Sequence, residues 1–395
     1  MKKLISLLLL TLTVISANAQ DVNTYMADAK NGNAEAQYQL GLCYDKGNGV
    51  EKNITEAVTW YRKAAEQGHA QAQCYLGNCY AQGEGVEQNW KEAIVWWRKA
   101  AEQGDAQAQC NLGVSYVNGN GVEKNMKEAT SWYRKAAEQG NAKAQYNLGN
   151  RYMTGDGVEK NMDEAYKWWS EAAVQGYAEA QYQLGLCYEN GNGVEKNRME
   201  AAAWYRKAAE QGNAQAQYNL GCCYANGDGV EKNMDKAYKW WSKAAEQGHA
   251  GAQYNLGCCY VNGNGVEKNM KEAAAWYRKA AEQGNAQAQY SLGFCYAYGD
   301  GVEKNMKQAI AWYRKAAEQG YTYAQCNLGV CYALGKGVEK NMAEATKWYR
   351  KAAMQGDAIS QWNLGCCYAN GEGVAKDLKQ AKYWKDKAIK NGYQP

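Results

Sequence analysis

Cysteine is the residue type that offers this 395-residue chain the most chemistry, because fourteen copies occur. A thiolate can attack an electrophile or bind a metal ion, and two thiols can pair into a disulfide. The cysteines occupy only three places in a 36-residue period: position eleven holds eight of them, position ten holds three and position six holds three. In that order they are Cys43, Cys79, Cys187, Cys223, Cys259, Cys295, Cys331 and Cys367, then Cys222, Cys258 and Cys366, then Cys74, Cys110 and Cys326.

Groups that would cooperate with these thiols in catalysis are scarce. The only histidines are His69 and His249, which we predict to be solvated residues at the start of helices. No cysteine pair has C-x-x-C spacing, and no serine is followed three residues later by lysine, so the S-x-x-K motif of serine β-lactamases is missing. A zinc enzyme needs clustered ligands, which the two distant histidines do not supply. We therefore predict no enzymatic activity, no cofactor and no metal.

Short loops between glycines carry recurrent asparagine and aspartate residues, as at Asn48, Asn192, Asp228 and Asp300. A calcium site needs several carboxylates in one loop. Each loop here offers at most one or two, and Lys336 takes the same place in one copy. The pattern therefore favours solvated turns over calcium sites.

The N-terminus has the features of a secretory signal. Lys2-Lys3 precedes a short apolar run that ends before Ala17-Asn18-Ala19, an A-x-A cleavage pattern. We predict a signal peptide over residues 1–19, cleavage after Ala19 and a mature chain that begins at Gln20. No later stretch is apolar enough to span a bilayer, and the formal charge of +4 is spread evenly. We expect a periplasmic or secreted protein that neither binds nucleic acid nor inserts into a membrane.

One 36-residue sequence repeats ten times over residues 33–392 without insertion or deletion. In the copy Asn213–Gly248, small and apolar residues at helical spacing predict helix A, glycines predict a turn, and Asn233 predicts the N-cap of helix B. Most copies follow this asparagine three residues later with Glu or Gln, as in a capping box. Gly221 lies in mid-helix, where glycine costs about 1 kcal/mol relative to alanine, so we expect a large ring or a backbone against it. Such a period is typical of a solenoid.

Tryptophan occupies position 28 in all ten copies. A buried ring of this size removes roughly 150–250 Å² from water, so the row predicts a structural spine. The row comprises Trp60, Trp96, Trp132, Trp168, Trp204, Trp240, Trp276, Trp312, Trp348 and Trp384. The Arg-Lys pairs that follow, such as Arg134/Lys135 and Arg206/Lys207, are interpreted as a solvated outer face.

The repeat resembles the Sel1-like repeat, a relative of the tetratricopeptide repeat with a longer loop between its helices. In one copy the family pattern is carried by Ala286, Ala288, Gln289, Leu292, Gly293, Tyr296, Gly299, Gly301, Val302, Asn305, Ala309, Trp312, Tyr313, Lys315, Ala316, Ala317 and Gly320. The resemblance implies an all-α fold, a right-handed α-solenoid of ten 36-residue helix-turn-helix repeats with helix A lining a concave groove. It also implies an adaptor or scaffold that assembles other proteins. We expect an N-terminal capping helix over residues 20–32, a tail over residues 393–395, and a last helix that faces water at Lys385 and Asp386.

The resemblance also bears on the cysteines. By analogy with the tetratricopeptide repeat, position eleven should be a small buried residue, whereas positions six and ten should face the groove and react more readily. A cysteine-rich branch of the family ties the end of helix B to the next helix A by disulfides, but here the matching helix-B residue is Ala65 and its equivalents, or Ile389. We therefore predict that most thiols are free. Some members of that branch have been described as penicillin-binding or β-lactamase-like, which leaves that activity as an alternative.

The groove is the remaining candidate site, and its predicted partner is a protein or peptide. Tyr and Trp often anchor protein interfaces, but the rings at position six would equally well pack between neighbouring A helices. Among the ten copies the last three vary most along the groove, so we expect any preferred binding end there. A third possibility is a structural or glycan-binding protein of the cell envelope. The predicted groove residues are Tyr38, Tyr146, Tyr182, Tyr218, Tyr254, Tyr290, Phe294, Tyr298, Tyr323, Leu334 and Trp362.

Overall fold

The computed structural model describes residues 22–394, so the predicted signal peptide, its cleavage site at Ala19 and the new N-terminus at Gln20 lie outside this range. Residues 22–30 form helix α1, and twenty helices of 13 residues each follow. Every regular element in the described range is a helix, which confirms the all-α fold class.

A helices and B helices alternate along the chain. The A helices are α2 (Ala34–Lys46), α4 (Ala70–Gln82), α6 (Ala106–Asn118), α8 (Ala142–Thr154), α10 (Ala178–Asn190), α12 (Ala214–Asn226), α14 (Ala250–Asn262), α16 (Ala286–Tyr298), α18 (Thr322–Leu334) and α20 (Ala358–Asn370). The B helices are α3 (Ile54–Glu66), α5 (Trp90–Glu102), α7 (Met126–Glu138), α9 (Met162–Val174), α11 (Arg198–Glu210), α13 (Met234–Glu246), α15 (Met270–Glu282), α17 (Met306–Glu318), α19 (Met342–Met354) and α21 (Leu378–Lys390).

The chain divides into two compact units after Asn197. The first unit contains α1–α10 and the second contains α11–α21. Within each unit, a B helix packs against the A helix of its own repeat and against the A helix of the next repeat. This nearest-neighbour packing is the way in which solenoids build a core.

Asparagine side chains start both kinds of helix, as predicted. The Asn213 side chain accepts a hydrogen bond from the backbone N–H of Ala216 at 2.9 Å, and the Asn233 side chain accepts one from Lys236 at 2.8 Å. The backbone N–H of Asn233 donates to the carbonyl of Tyr224 at 2.8 Å. In a capping box, the Glu or Gln three residues later would accept this N–H. Because the Tyr224 carbonyl already accepts it, Lys236 in place of Glu or Gln leaves no backbone donor of the cap unsatisfied.

The mid-helix glycine at position nine lies against a ring, which confirms the expectation for Gly221. A Cβ atom at Gly221 would lie 2.5 Å from two atoms of the buried Trp241 indole. In repeat three, a Cβ atom at the equivalent Gly113 would lie 2.5 Å from the Tyr133 ring. Helices A and B of one repeat therefore touch at a place where only glycine fits.

Two glutamine rows join the repeats. The Nε2 of Gln289 donates to the Ala281 carbonyl of the previous repeat at 3.1 Å, and its Oε1 accepts from Gln319 of its own repeat at 2.8 Å. Gln289 is buried, and Gln73, for example, makes the same two contacts with Ala65 and Gln103. Because each amide reaches a carbonyl of the preceding helix B, this row fixes the spacing between successive repeats.

The tryptophan row bridges repeats, in agreement with its predicted role as a spine. Trp96 of the second repeat, for example, lies in the hydrophobic cluster built by helix α3 of the first. The Arg-Lys pairs were predicted to be a solvated face, which holds for the exposed Arg206 but not for Arg134, which is half-buried. Arg134 donates to the hydroxyl of Tyr152 in the next repeat at 2.8 Å, whereas the exposed Lys135 lies 4.1 Å above the Trp132 ring.

The last repeat departs from this pattern at helix α21. Lys385 replaces the ring at position 29, and its Cγ is the atom nearest to a Cβ at Gly365. Only Ala381 and Ala388 of α21 are buried, while the equivalent helix α19 buries six residues. The terminal helix is therefore held by much less apolar contact than the B helices before it.

Candidate protein-binding surface

The position-six rings form contacts between repeats and also retain partial exposure. Tyr218 stacks on His249, the first residue of the next repeat, with ring centroids 4.4 Å apart. Trp362 stacks in the same way on Tyr393 at 4.7 Å. All seven of the predicted position-six residues are half-buried, namely Tyr38, Tyr146, Tyr182, Tyr218, Tyr254, Tyr290 and Trp362. The row is thus structural, and one edge of it remains open to a ligand.

The other four predicted groove residues are much more exposed. Exposed fractions are 66% for Tyr298, 60% for Tyr323, 58% for Leu334 and 40% for Phe294. Ile359 of repeat ten, which the sequence reasoning missed, is 52% exposed at the same repeat position as Tyr323. In the part of the chain that the structure describes, these five are the exposed large apolar side chains of the A helices.

At two of the three repeat positions that these side chains occupy, most other repeats carry polar or small residues. At the position of Tyr298 and Leu334, the other eight copies have Lys46, Gln82, Asn118, Thr154, Asn190, Asn226, Asn262 and Asn370. At the position of Tyr323 and Ile359, they have Glu35, Gln71, Gln107, Lys143, Glu179, Gln215, Gly251 and Gln287. The exposed apolar residues therefore distinguish repeats eight to ten from all the others, at sites where the fold accepts polar side chains.

Three of the exposed residues and the half-buried Tyr290 lie near one another on α16 and α18 of the second unit. Phe294 and Tyr298 lie one helical turn apart on α16 with ring centroids at 4.3 Å. Tyr290 lies one turn before Phe294, and its ring is 6.2 Å from that of Tyr323 on α18. We call Tyr290, Phe294, Tyr298 and Tyr323 the repeat 8–9 aromatic surface.

A cavity of about 400 Å³ opens beside this surface, between α16, α17 and α18. Its apolar wall includes Met306, Tyr313 and Val330, and Tyr298 stands at its edge. Its polar groups include Lys304, Lys336 and Asn327. The remaining lining residues are Ala297 and Cys331. Its size is within the range of pockets that bind small ligands or single side chains.

Comparison with known proteins identifies the repeat. The family model described as Sel1 repeat matches ten consecutive segments, at residues 34–69, 70–105, 106–141, 142–177, 178–213, 214–249, 250–285, 286–321, 322–357 and 358–393. The chain belongs to the Sel1 repeat family. Sel1 repeats generally form non-enzymatic scaffolds that mediate protein interactions.

Solved Sel1 repeat proteins are similar over most of the chain. One is a protective antigen of uropathogenic Escherichia coli with an SLR fold, which is 43% identical at a TM-score of 0.84 and aligns 93% of this chain with 79% of its own. Another is a Sel1 repeat protein from Oxalobacter formigenes, 36% identical at a TM-score of 0.56, which aligns 76% of this chain with 87% of its own. These matches confirm the family and the solenoid class.

A curated relative matches a short stretch only. DAP3-binding cell death enhancer 1 of Rattus norvegicus is 43% identical over 42 residues, which make up 11% of this chain. The matched stretch covers 8% of that relative's length.

The Sel1 repeat cysteines follow the prediction at one position and contradict it at another. Position-eleven cysteines such as Cys187 and Cys259 are buried, as expected. Position-six cysteines were expected to face the groove and react readily, but Cys110 and Cys326 are buried as well, because the next repeat covers them. Burial raises the pKa of both thiols to about 11, which suppresses the reactive thiolate. Position ten is more open, since Cys258 and Cys366 are only half-buried.

Both histidines are structural rather than solvated. The Nδ1 of His249 accepts the backbone N–H of Ala252 at 3.1 Å, so His249 caps α14 while its ring stacks on Tyr218. His69 caps α4 in the same way and bonds to Glu35 of the previous repeat at 2.8 Å. The prediction of solvated residues was wrong because an imidazole nitrogen can replace the asparagine oxygen that caps other repeats.

Among residues 22–394, no three His, Cys, Asp or Glu side chains form a group that could hold a metal ion. None of the helices in this range combines the length and the apolar character that crossing a bilayer requires.

Proposed function

We propose that this chain is an exported Sel1 repeat scaffold that binds another protein through its A helices. The principal contact is the repeat 8–9 aromatic surface, extended by Leu334 and Ile359. The chain leaves the cytoplasm through the signal peptide over residues 1–19 and acts in the periplasm or outside the cell, without enzymatic activity.

This proposal rests on exposed aromatic residues at positions that vary between the repeats. Large apolar side chains that remain in water cost solubility, and clusters of them mark interaction sites on soluble proteins. Tyr and Trp are the residue types that contribute most to protein interfaces. Since eight other repeats place polar or small residues where Tyr298 and Tyr323 stand, packing of the repeat does not require these rings. The 43% identity to a protective antigen supports export, because antibodies reach antigens outside the cytoplasm.

Site-specific photo-crosslinking in the native host tests the binding surface. A benzophenone amino acid placed at Tyr298 should yield a covalent adduct with a partner protein. The same amino acid at the exposed Asn262, which holds the equivalent position in repeat seven, is the matched control. Adducts of equal yield at both positions, or an adduct at Asn262 alone, would contradict the choice of surface.

Export and the enzymatic alternative need separate measurements. Mass spectrometry of the purified mature protein should give an N-terminus at Gln20, and an intact Met1 would refute export. Purified protein should leave the β-lactam nitrocefin intact. Steady hydrolysis above a buffer control would favour the β-lactamase-like alternative, and specific retention on peptidoglycan would favour the envelope alternative.

A further inference from the structure

Two lysines and no acidic residue line the cavity beside the repeat 8–9 aromatic surface. Lys304 and Lys336 both line it, whereas no Asp or Glu does. Neither lysine belongs to an ion pair within the described residues. In a chain with 45 basic and 41 acidic residues, two unpaired cations that share one partly apolar cavity favour an anionic ligand.

Lys336 is an exception among the ten loops. The equivalent residues are Asn48, Glu84, Asn120, Asp156, Asn192, Asp228, Asn264, Asp300 and Glu372. Nine loops therefore carry an amide or a carboxylate where repeat nine carries an ammonium group. This change occurs in the same repeats that acquire exposed rings, and Lys336 lies two residues after the exposed Leu334.

We propose that this cavity binds an acidic side chain of a partner peptide whose neighbouring apolar side chains lie on the repeat 8–9 aromatic surface. The inference rests on the proposed function and specifies its ligand. Lys304 and Lys336 bind the Asp or Glu carboxylate. The apolar wall of Met306 and Val330 receives the adjacent methylene groups. Phe294, Tyr298 and Tyr323 extend beyond the cavity, so the ligand is a peptide segment larger than a free anion.

Charge around the cavity argues against a nucleic acid as the occupant. Asp300, Glu303 and Glu339 lie in the same two loops as the lysines. A phosphate backbone carries one charge per nucleotide and would bring several charges near these carboxylates. A single carboxylate between the two lysines avoids that repulsion.

A displayed library of random dodecapeptides, selected on the immobilised mature chain, tests the proposal. Enriched peptides should contain Asp or Glu within two residues of an aromatic or aliphatic residue. Their affinity should fall about tenfold or more in the double variant Lys304→Gln with Lys336→Asn, and it should weaken with salt, since charge-assisted contacts are screened. Both replacements already occur in this chain, at Gln88 and at Asn264, so the fold tolerates them.

Control variants separate the two proposals. Lys268→Gln changes the equivalent lysine of repeat seven and should leave affinity unchanged. Tyr298→Asn with Tyr323→Gln should abolish binding. Peptides that depend on the tyrosines but not on Lys304 and Lys336, or that lack acidic residues, would refute the acidic ligand and leave the surface intact. Selection of no peptide, or of peptides insensitive to both double variants, would overturn both proposals, and displacement by an oligothymidine would favour nucleic acid.

Discussion

Replacing Gly221 by alanine adds a methyl group where the Trp241 ring leaves no space for it. The new Cβ would lie 2.5 Å from Cδ1 and Nε1 of Trp241, while ordinary contacts begin near 3.4 Å. The buried indole must therefore move by about 1 Å, and its N–H would draw away from the Tyr218 carbonyl, now 3.2 Å distant. Overpacking of this kind costs about 1–3 kcal/mol.

Two smaller effects act on the same substitution. Alanine favours a helix interior over glycine by about 1 kcal/mol. Loss of the indole hydrogen bond costs about 1 kcal/mol. These two effects nearly cancel, so Gly221→Ala should lower the free energy of unfolding by about 1–3 kcal/mol. Urea denaturation followed by far-ultraviolet circular dichroism measures this change.

A double-mutant cycle with Trp241→Ala tests the cause. Once the ring is absent, Gly221→Ala should stabilise the chain by up to about 1 kcal/mol, because only the helix propensity remains. As a control, Gly251→Ala in α14 should destabilise the chain much less than Gly221→Ala, since its Cβ would lie 3.1 Å or more from the half-buried rings of Tyr218 and His249, which need to move by only about a few tenths of an ångström. Stabilisation by Gly221→Ala in the wild-type background, or an equal loss with and without Trp241, would refute the reasoning.

Three further predictions concern the contacts between repeats and the thiols. Gln289→Ala should cost about 1–3 kcal/mol in urea denaturation because it removes a buried hydrogen-bond pair, whereas the exposed Gln287→Ala should cost under about 0.5 kcal/mol, and equal losses would contradict the buried role. Burial lowers the pKa of His249 from 6.5, so its neutral form stabilises the fold above that value and this contribution is lost as the pH falls through the folded pKa. The urea midpoint should therefore fall more steeply with decreasing pH in wild type than in His249→Asn, and parallel pH profiles would exclude this histidine. Iodoacetamide should modify Cys258 before Cys110, as peptide mass spectrometry would show, and most of the fourteen thiols should titrate as free in denatured, unreduced protein. Fewer than half free would overturn that expectation.

Local signals in the sequence were sufficient to predict the helices of each repeat, their caps and the turns between them. The Asn213 cap and the glycine turns depend on a few neighbouring residues, and the mid-helix Gly221 implied a large neighbour because its propensity cost had to be offset. Exposed Tyr298 and Tyr323 were found because they interrupt polar positions of the repeat. These features can be read from one chain since ten copies act as internal comparisons.

Interactions that depend on the adjacent repeat were missed. A glutamine is usually expected at the surface. Gln289 can be buried because its amide donates to the Ala281 carbonyl, which belongs to the previous repeat. Arg134 was taken as solvated because the Tyr152 hydroxyl lies 18 residues away. A useful signal was nevertheless present, since the position of Gln289 is glutamine in all ten copies, while a solvent-facing position would vary. The buried Cys110 misled the interpretation for the same reason.

Because helix α21 buries few residues, it affects the order in which the helices open to solvent. In a stack of nearest neighbours, opening begins at an end, and regions with few buried contacts open most often. Amide protons of α21 should exchange with solvent sooner than those of α19, whose Trp348 and Tyr349 are buried. Only α19, α20 and α21 follow the repeat 8–9 aromatic surface in the chain. A partner that contacts Tyr323 and Ile359 would therefore hold α18 and α20 together and slow the exchange of the C-terminal helices.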